Sequence, residues 1–269
     1  MNIRKFCAFF LLFAVLFPGC AAPEKKEPTE PGPAYSPVPS ATLSPEHSPA
    51  ANMPAPSATP EAAAPAMAVE PEKLGPVDGF FYMELNDTMK KRITGVSYPA
   101  NDKKAKIHYD DLRYIGLLYY DFEGNVKTGE LIVHKKLADE TMQIFYELYQ
   151  AKYPFTSVRL VDDYGADDRL STEANNASAF NYRSVAGSKK LSLHSYGMAI
   201  DINPKFNPYV KKGVVSPKNG AEYADRSKDF PGKIDRDDLC CKLFTKHGWK
   251  WGGSWKTVKD YQHFEKDVR

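Results

Sequence analysis

Two stretches of this 269-residue chain hold residues whose types and spacing could do chemistry. The first is Ser192-Leu-His194-Ser-Tyr-Gly197-Met-Ala199-Ile-Asp201-Ile-Asn203. The second is Asp260-Tyr-Gln-His263-Phe-Glu265, which follows the aromatic run Trp249-Lys-Trp251-Gly252-Gly253-Ser-Trp255. From Gly197 the first stretch alternates with period two. Met198, Ile200 and Ile202 suit a core face, while Gly197, Ala199 and Asp201 share the other. Two minimal side chains beside a carboxylate predict an open floor, and a bend at His194 could carry its imidazole over the same face. A catalytic zinc takes three protein ligands from His, Asp or Glu and keeps one position for water. His194, Asp201 and His263 meet that count, and Asp260 is available to accept the water's proton. Taken singly, each also has a structural reading: a histidine satisfied by hydrogen bonds, or an aspartate that closes a strand.

Such groups need elements to hold them. Tyr114–Phe122 and Gly129–His134 read as strands, joined by a turn at Glu123-Gly124-Asn125. Lys136–Lys152 carries Leu137, Met142, Ile144, Phe145, Leu148 and Tyr149 close to helical spacing. Ser157–Val161 reads as a further strand. Asp237–His247 reads as a helix with Leu239, Cys240, Leu243 and Phe244 on one face and Gly248 as its stop. A hairpin, helices and irregular loops predict an α+β fold, a small antiparallel sheet with flanking helices. Cys240 and Cys241 fall inside the last helix. They are read as core packing, since a free cysteine behaves as a small hydrophobe, with a thiol nucleophile or metal ligand as the other reading. No other cysteine lies in the domain, so no disulfide framework is implied.

Composition divides the chain into three. Residues 1–20 read as an export signal: Arg4 and Lys5, then the apolar run Phe6–Phe17, too short for the roughly 20 residues of a spanning helix. Fourteen of the 21 prolines lie between Ala21 and Pro76, with a single aromatic, Tyr35. A segment so poor in apolar surface cannot offset the entropy of ordering it, so 21–76 is expected to be a disordered Pro/Ala-rich linker. At about 3.1 Å per residue such a linker reaches at most roughly 170 Å. Residues 77–269 hold nearly all the aromatics and are expected to form the one domain. With 36 basic and 34 acidic residues, a net charge of +2, the chain offers no electrostatic case for nucleic acid as a partner.

Several of these blocks resemble known families. Phe17-Pro18-Gly19-Cys20 resembles the lipobox of bacterial lipoproteins. That resemblance implies lipidation at Cys20 and a membrane-anchored protein facing the periplasm or cell wall; ordinary cleavage near Ala21-Ala22 would free it instead. Ser-x-His-x-x-Gly-x-Ala-x-Asp from Ser192 to Asp201, with Asp-x-x-His from Asp260 to His263, resembles peptidase family M15, the D-Ala-D-Ala carboxypeptidases. Ser178-Ala-Phe-Asn-Tyr-Arg183-Ser-Val-Ala-Gly187-Ser, Asn207-Pro208-Tyr209 and Trp251-Gly-Gly-Ser-Trp255 are similar to its endolysin branch, which cuts between L-Ala and D-Glu. The likeness spans about residues 131–265.

The resemblance implies a small α+β fold shared with the Hedgehog signalling domain, Zn2+ on His194, Asp201 and His263, and Asp260 as general base. It further implies that Arg183 contacts the substrate carbonyl and its developing oxyanion and that Ser192 touches substrate. The implied substrate is the peptidoglycan stem peptide, cut by a monomer at L-Ala–D-Glu. A D-Ala–D-Ala carboxypeptidase is one alternative, and a non-catalytic zinc- or wall-binding lipoprotein another. Lys127-Thr-Gly129 matches a triplet of penicillin-binding proteins, but no serine has a lysine three positions on, as that serine chemistry needs.

Overall fold

Leu112–Tyr120 is rich in leucine and tyrosine, and alternation sends Ile115, Leu117 and Tyr119 to one face. In the computed structural model, which describes residues 71–269, this segment is the heart of a four-stranded antiparallel sheet. The sheet runs in sequence order, β1 (Lys73–Leu74), β2 (Phe81–Glu84), β3 (Leu112–Tyr120) and β4 (Val126–His134). The expected leader, Cys20 and the linker up to residue 70 lie outside the described residues. The folded part begins before the expected boundary at Val77, because Lys73 and Leu74 pair with Tyr82 and Phe81.

β3 and β4 are paired along their whole length, from Leu112 with His134 to Tyr120 with Val126. Their turn is held by Asp121, whose carboxylate accepts from the amides of Glu123 and Asn125 at 3.1 and 2.7 Å. Lys127-Thr-Gly129 sits inside this ladder, as strand.

Between β2 and β3 lies α1 (Asp87–Ile93), capped by Asn86. α2 (Ala138–Gln150) packs on β3, burying Thr141, Met142, Ile144, Phe145 and Leu148. Ile115, Leu117, Leu131 and Val133 face it, and together they form the main core. A smaller cluster of Leu85, Ile93, Tyr98, Ile107, Leu112, Ile132 and Phe180 forms beyond it.

The expected strand at Ser157–Val161 is only β5 (Ser157–Val158), beside β6 (Asn176–Ala177). The Arg159 amide still reaches Ala177 O of β6 at 3.3 Å, but the Asn176 side chain also takes that amide and the Arg159 carbonyl, at 2.9 and 3.0 Å, and the ladder ends there. α3 (Asp168–Glu173) lies between them in sequence.

The second half builds two further three-stranded sheets. β7 (Ala199–Asp201) belongs to one, and β8 (Tyr209–Lys211) with β9 (Val214–Ser216) to the other. α4 (Leu239–Lys246) follows, its N-terminus capped by Asp238. Then come β10 (Lys250–Trp251), β11 (Lys259–Asp260) and β12 (His263–Glu265), giving the sheet orders β10-β12-β7 and β11-β8-β9. The fold is α+β. Cys240 and Cys241 are buried in α4, and burial raises both thiols, Cys241 to about 11; they pack rather than react.

Residues 203–236, between β7 and α4, form an excursion that includes β8 and β9 and is held by Arg226. Its guanidinium donates to the carbonyls of Phe206 and Ile234, both at 2.8 Å, and to Asn207 Oδ1 at 3.0 Å. It stacks on the ring of Tyr261, 4.5 Å from the centroid.

Gly197 does not contribute to an open floor. It sits at φ +64° and ends the turn over Leu193–Tyr196, so β7 starts two residues later. A Cβ there would lie 2.5 Å from His134 N and 2.7 Å from Val133 C, because the end of β4 docks on it, with His134 N donating to Gly197 O at 2.8 Å. Gly165 offers a matched control: φ is the same, and a Cβ there would meet nothing within 4 Å. Gly165→Ala should cost only the left-handed penalty, roughly 1–2 kcal/mol. Gly197→Ala should cost that plus overpacking of about 1–3 kcal/mol. Urea unfolding of both variants tests this; equal losses would mean that the β4 contact is slack.

Candidate metal centre

β12 and β7 pair antiparallel with His263 opposite Asp201, Phe264 opposite Ile200 and Glu265 opposite Ala199. Ile200 and Phe264 are fully buried in the core, and Phe264 stacks on Phe244 of α4 with ring centroids 4.3 Å apart. Because strand side chains alternate, the opposite face carries Asp201 and Ala199 from β7 and His263 and Glu265 from β12. Directly opposed residues have their Cβ atoms only about 4.5–5.5 Å apart, so this register alone brings Asp201 and His263 together. On its other edge β7 is held by Ser178, which exchanges two backbone hydrogen bonds with Asp201 at 3.1 and 2.9 Å.

His194 enters from the short 3-10 turn Leu193–Tyr196. Ser192 caps that turn, its Oγ accepting from His194 N at 3.3 Å. The structure thus gives the Ser192 hydroxyl a backbone task.

The three ligand atoms lie within 4.8 Å of one another. His194 Nε2 is 3.3 Å from both His263 Nδ1 and an Asp201 oxygen, and His263 Nδ1 is 2.9 Å from the other Asp201 oxygen. All three side chains are buried, with exposures of 3, 6 and 7%. The outward ring nitrogens are also engaged. His194 Nδ1 donates to Ala179 O at 2.6 Å, and His263 Nε2 to Glu265 at 3.3 Å. A neutral imidazole with its one proton turned outward presents a lone pair inward, so once both rings are neutral two lone pairs and a carboxylate converge on one point. That donor set and its outer hydrogen bonds fit a zinc-type ion.

The electrostatics agree. Burial pushes the Asp201 carboxyl up, but the imidazoles of His194 and His263 outweigh it and hold it well below the usual carboxylate range. Burial pulls His263 down, yet hydrogen bonds to Asp201 and Glu265 carry it up to about 10. A metal ion held by these three side chains would take the place of the His263 Nδ1 proton, so its uptake would release protons and weaken as pH falls.

Asp260 lies on β11, opposite Tyr209, three residues before His263. Burial pushes its carboxyl up to about 6, against the pull of His263. Its Oδ1 is buried with no hydrogen-bond partner among the described residues. Gly252 permits this packing: a Cβ there would lie 2.6 Å from Asp260 O and 3.3 Å from His263 Cβ. Trp255 lies over the same corner, its ring 5.5 Å from that of His263.

Arg183 is tied to the turn by its backbone, with Ser195 Oγ accepting from Arg183 N at 2.9 Å and donating to Arg183 O at 2.7 Å. Its guanidinium pairs with Asp168 at 2.7 Å, and its Nε is buried without a partner among the described residues. The structure therefore brings His194, Asp201 and His263 together, with Asp260 close enough to feel their charge, and pairs Arg183 with Asp168. The motifs in the sequence do not point to the outer partners, the Ala179 carbonyl and Glu265. For Glu265 a signal exists, since period two from His263 puts it on the same face.

Residues 186–266 match a family model described as D-alanyl-D-alanine carboxypeptidase. The matched segment contains His194, Asp201, Asp260 and His263 and begins just after Arg183. No curated protein and no solved structure matches the chain. The match supports a likeness of this segment, which holds the candidate ligands His194, Asp201 and His263, to peptidase family M15.

Proposed function

We propose that this protein is an exported zinc peptidase that hydrolyses the stem peptide of bacterial peptidoglycan, at the L-Ala–D-Glu bond. The observation that carries the reading is the convergence of His194 Nε2, His263 Nδ1 and the Asp201 carboxylate in one buried corner, both outward nitrogens already engaged. When bound, zinc supplies Lewis acidity, polarising the scissile carbonyl and acidifying a water.

The chain's own residues do the rest. Asp260 accepts the proton of the attacking water and returns it to the leaving amine. A carboxyl raised to about 6 and carrying an unpaired buried oxygen suits both halves of that task near neutral pH. Arg183 exchanges Asp168 for the substrate, stabilising the oxyanion or holding the free carboxylate of D-Glu. Such donors are typically worth about 2.7–4 kcal/mol in the transition state.

The lipobox-like Cys20 would anchor the protein, and the Pro-rich segment would let the domain reach the wall. Among the described residues no helix is long and apolar enough to cross a membrane. A second reading, a carboxypeptidase releasing terminal D-Ala, is favoured by the description of the matching family model.

Asp260→Asn should keep the metal and lower turnover by about 10²- to 10⁴-fold, since the amide cannot take the water's proton. Near-normal turnover with metal retained would move the base elsewhere. Muropeptides incubated with the protein should yield, by mass spectrometry, a peptide that begins with D-Glu. D-Ala as the sole product would replace the endopeptidase with the carboxypeptidase.

A further inference from the structure

The two metal-facing histidines are oriented by different kinds of partner. His194 Nδ1 donates to a main-chain carbonyl, that of Ala179. His263 Nε2 donates to a side chain, Glu265, at 3.3 Å. Glu265 shares a strand face with His263 because they are two residues apart on β12. Across the ladder it stands opposite Ala199 of β7, whose methyl leaves room for a carboxylate to fold back along the sheet. In β10 its opposite residue is Lys250, yet the carboxylate makes no ion pair with that lysine. Among the described residues its hydrogen-bond partner is His263. The side chain is about a quarter exposed and lies at the rim of the buried corner.

We propose that Glu265 is a positioning residue of the metal centre: through the His263 Nε2–H it fixes the ring's orientation and directs the Nδ1 lone pair at the ion. The inference rests on the reading of His194, Asp201 and His263 as metal ligands. Its chemistry is simple. If His263 carried its proton on Nδ1, the nitrogen facing Asp201 would have no lone pair to give. An acceptor on the Nε2 side keeps the proton there, and an anionic acceptor also makes the opposite nitrogen a better donor. Glu265 is therefore assigned no proton transfer with substrate, a task that falls to Asp260.

The test is zinc affinity of the metal-free protein, measured by competition with a chromophoric chelator, for wild type, Glu265→Ala and Glu265→Gln. Glu265→Ala should bind zinc about 10- to 100-fold more weakly. Glu265→Gln, whose amide oxygen still accepts from Nε2–H, should recover most of that loss. Thermal unfolding of the metal-free variants checks that the fold is kept. In a second measurement that needs no variant, the 15N shifts of zinc-loaded wild type should show His263 protonated at Nε2 and bound through Nδ1. Alanine and wild type binding equally well, or a His263 proton found on Nδ1, would overturn the role of Glu265 and leave the metal centre standing. Glutamine as weak as alanine would overturn orientation in favour of charge alone. A wild type that binds no zinc would overturn the metal centre and the role of Glu265 together.

Discussion

The pairing of β7 with β12 is the constraint on which the rest of this structure depends. Asp201 and His263 are far apart in sequence, and they meet because they are directly opposed in one short antiparallel ladder. A slip of one residue in either strand would turn that strand's Asp201 or His263 to the core and bring its Ile200 or Phe264 out to the opposite face. Ile200 and Phe264 prevent that slip. Both are fully buried, and Phe264 is stacked on Phe244, so a shifted register would expose a large apolar side chain at about 1.5–3 kcal/mol. The core thus holds the register, and the register places the ligands.

What surrounds the ladder can be read as support for it. The four-stranded sheet reaches it through the end of β4, which docks on Gly197. Ser178 occupies its other edge, and the same segment provides the Ala179 carbonyl that orients His194. The excursion over residues 203–236 is clamped to Tyr261 by Arg226, and Tyr261 lies between Asp260 and His263. The centre is also a concentration of buried polar groups that an apolar core would avoid. Asp201, two imidazoles and the raised carboxyl of Asp260 share one corner, an arrangement of the kind found where function overrides packing.

Much of this is legible in the chain. Alternation from Met198 to Ile202 separates core face from ligand face, and the helical spacing of Met142, Phe145 and Leu148 locates α2. The hairpin of β3 and β4 follows from its turn residues. The failures have local causes. Gly197 reads as floor because a glycine in a periodic stretch looks like a small side chain; its left-handed φ and its contact with β4 are tertiary facts. Ser157–Val161 has strand composition throughout, but at Arg159 the Asn176 side chain takes the amide and the carbonyl, and the ladder with β6 ends there. α1 and the smaller core around Tyr98 escape a reading by periodicity, since neither has a long periodic run. Arg183 is legible as a charge beside the motif, whereas its pairing with Asp168 depends on how α3 folds back.

The claim at the centre is that a register-matched His–Asp pair plus His194 holds a zinc ion. Zinc-edge X-ray absorption of the purified protein tests it most directly. The expected result is a first shell of nitrogen and oxygen at about 2.0–2.2 Å, carrying the multiple-scattering signature of two imidazoles. It should vanish, with the bound zinc, in the double variant His194→Ala, His263→Ala. A sulfur shell at about 2.3 Å would put the metal on cysteine instead. That result, or zinc content untouched by the double substitution, would contradict the assignment.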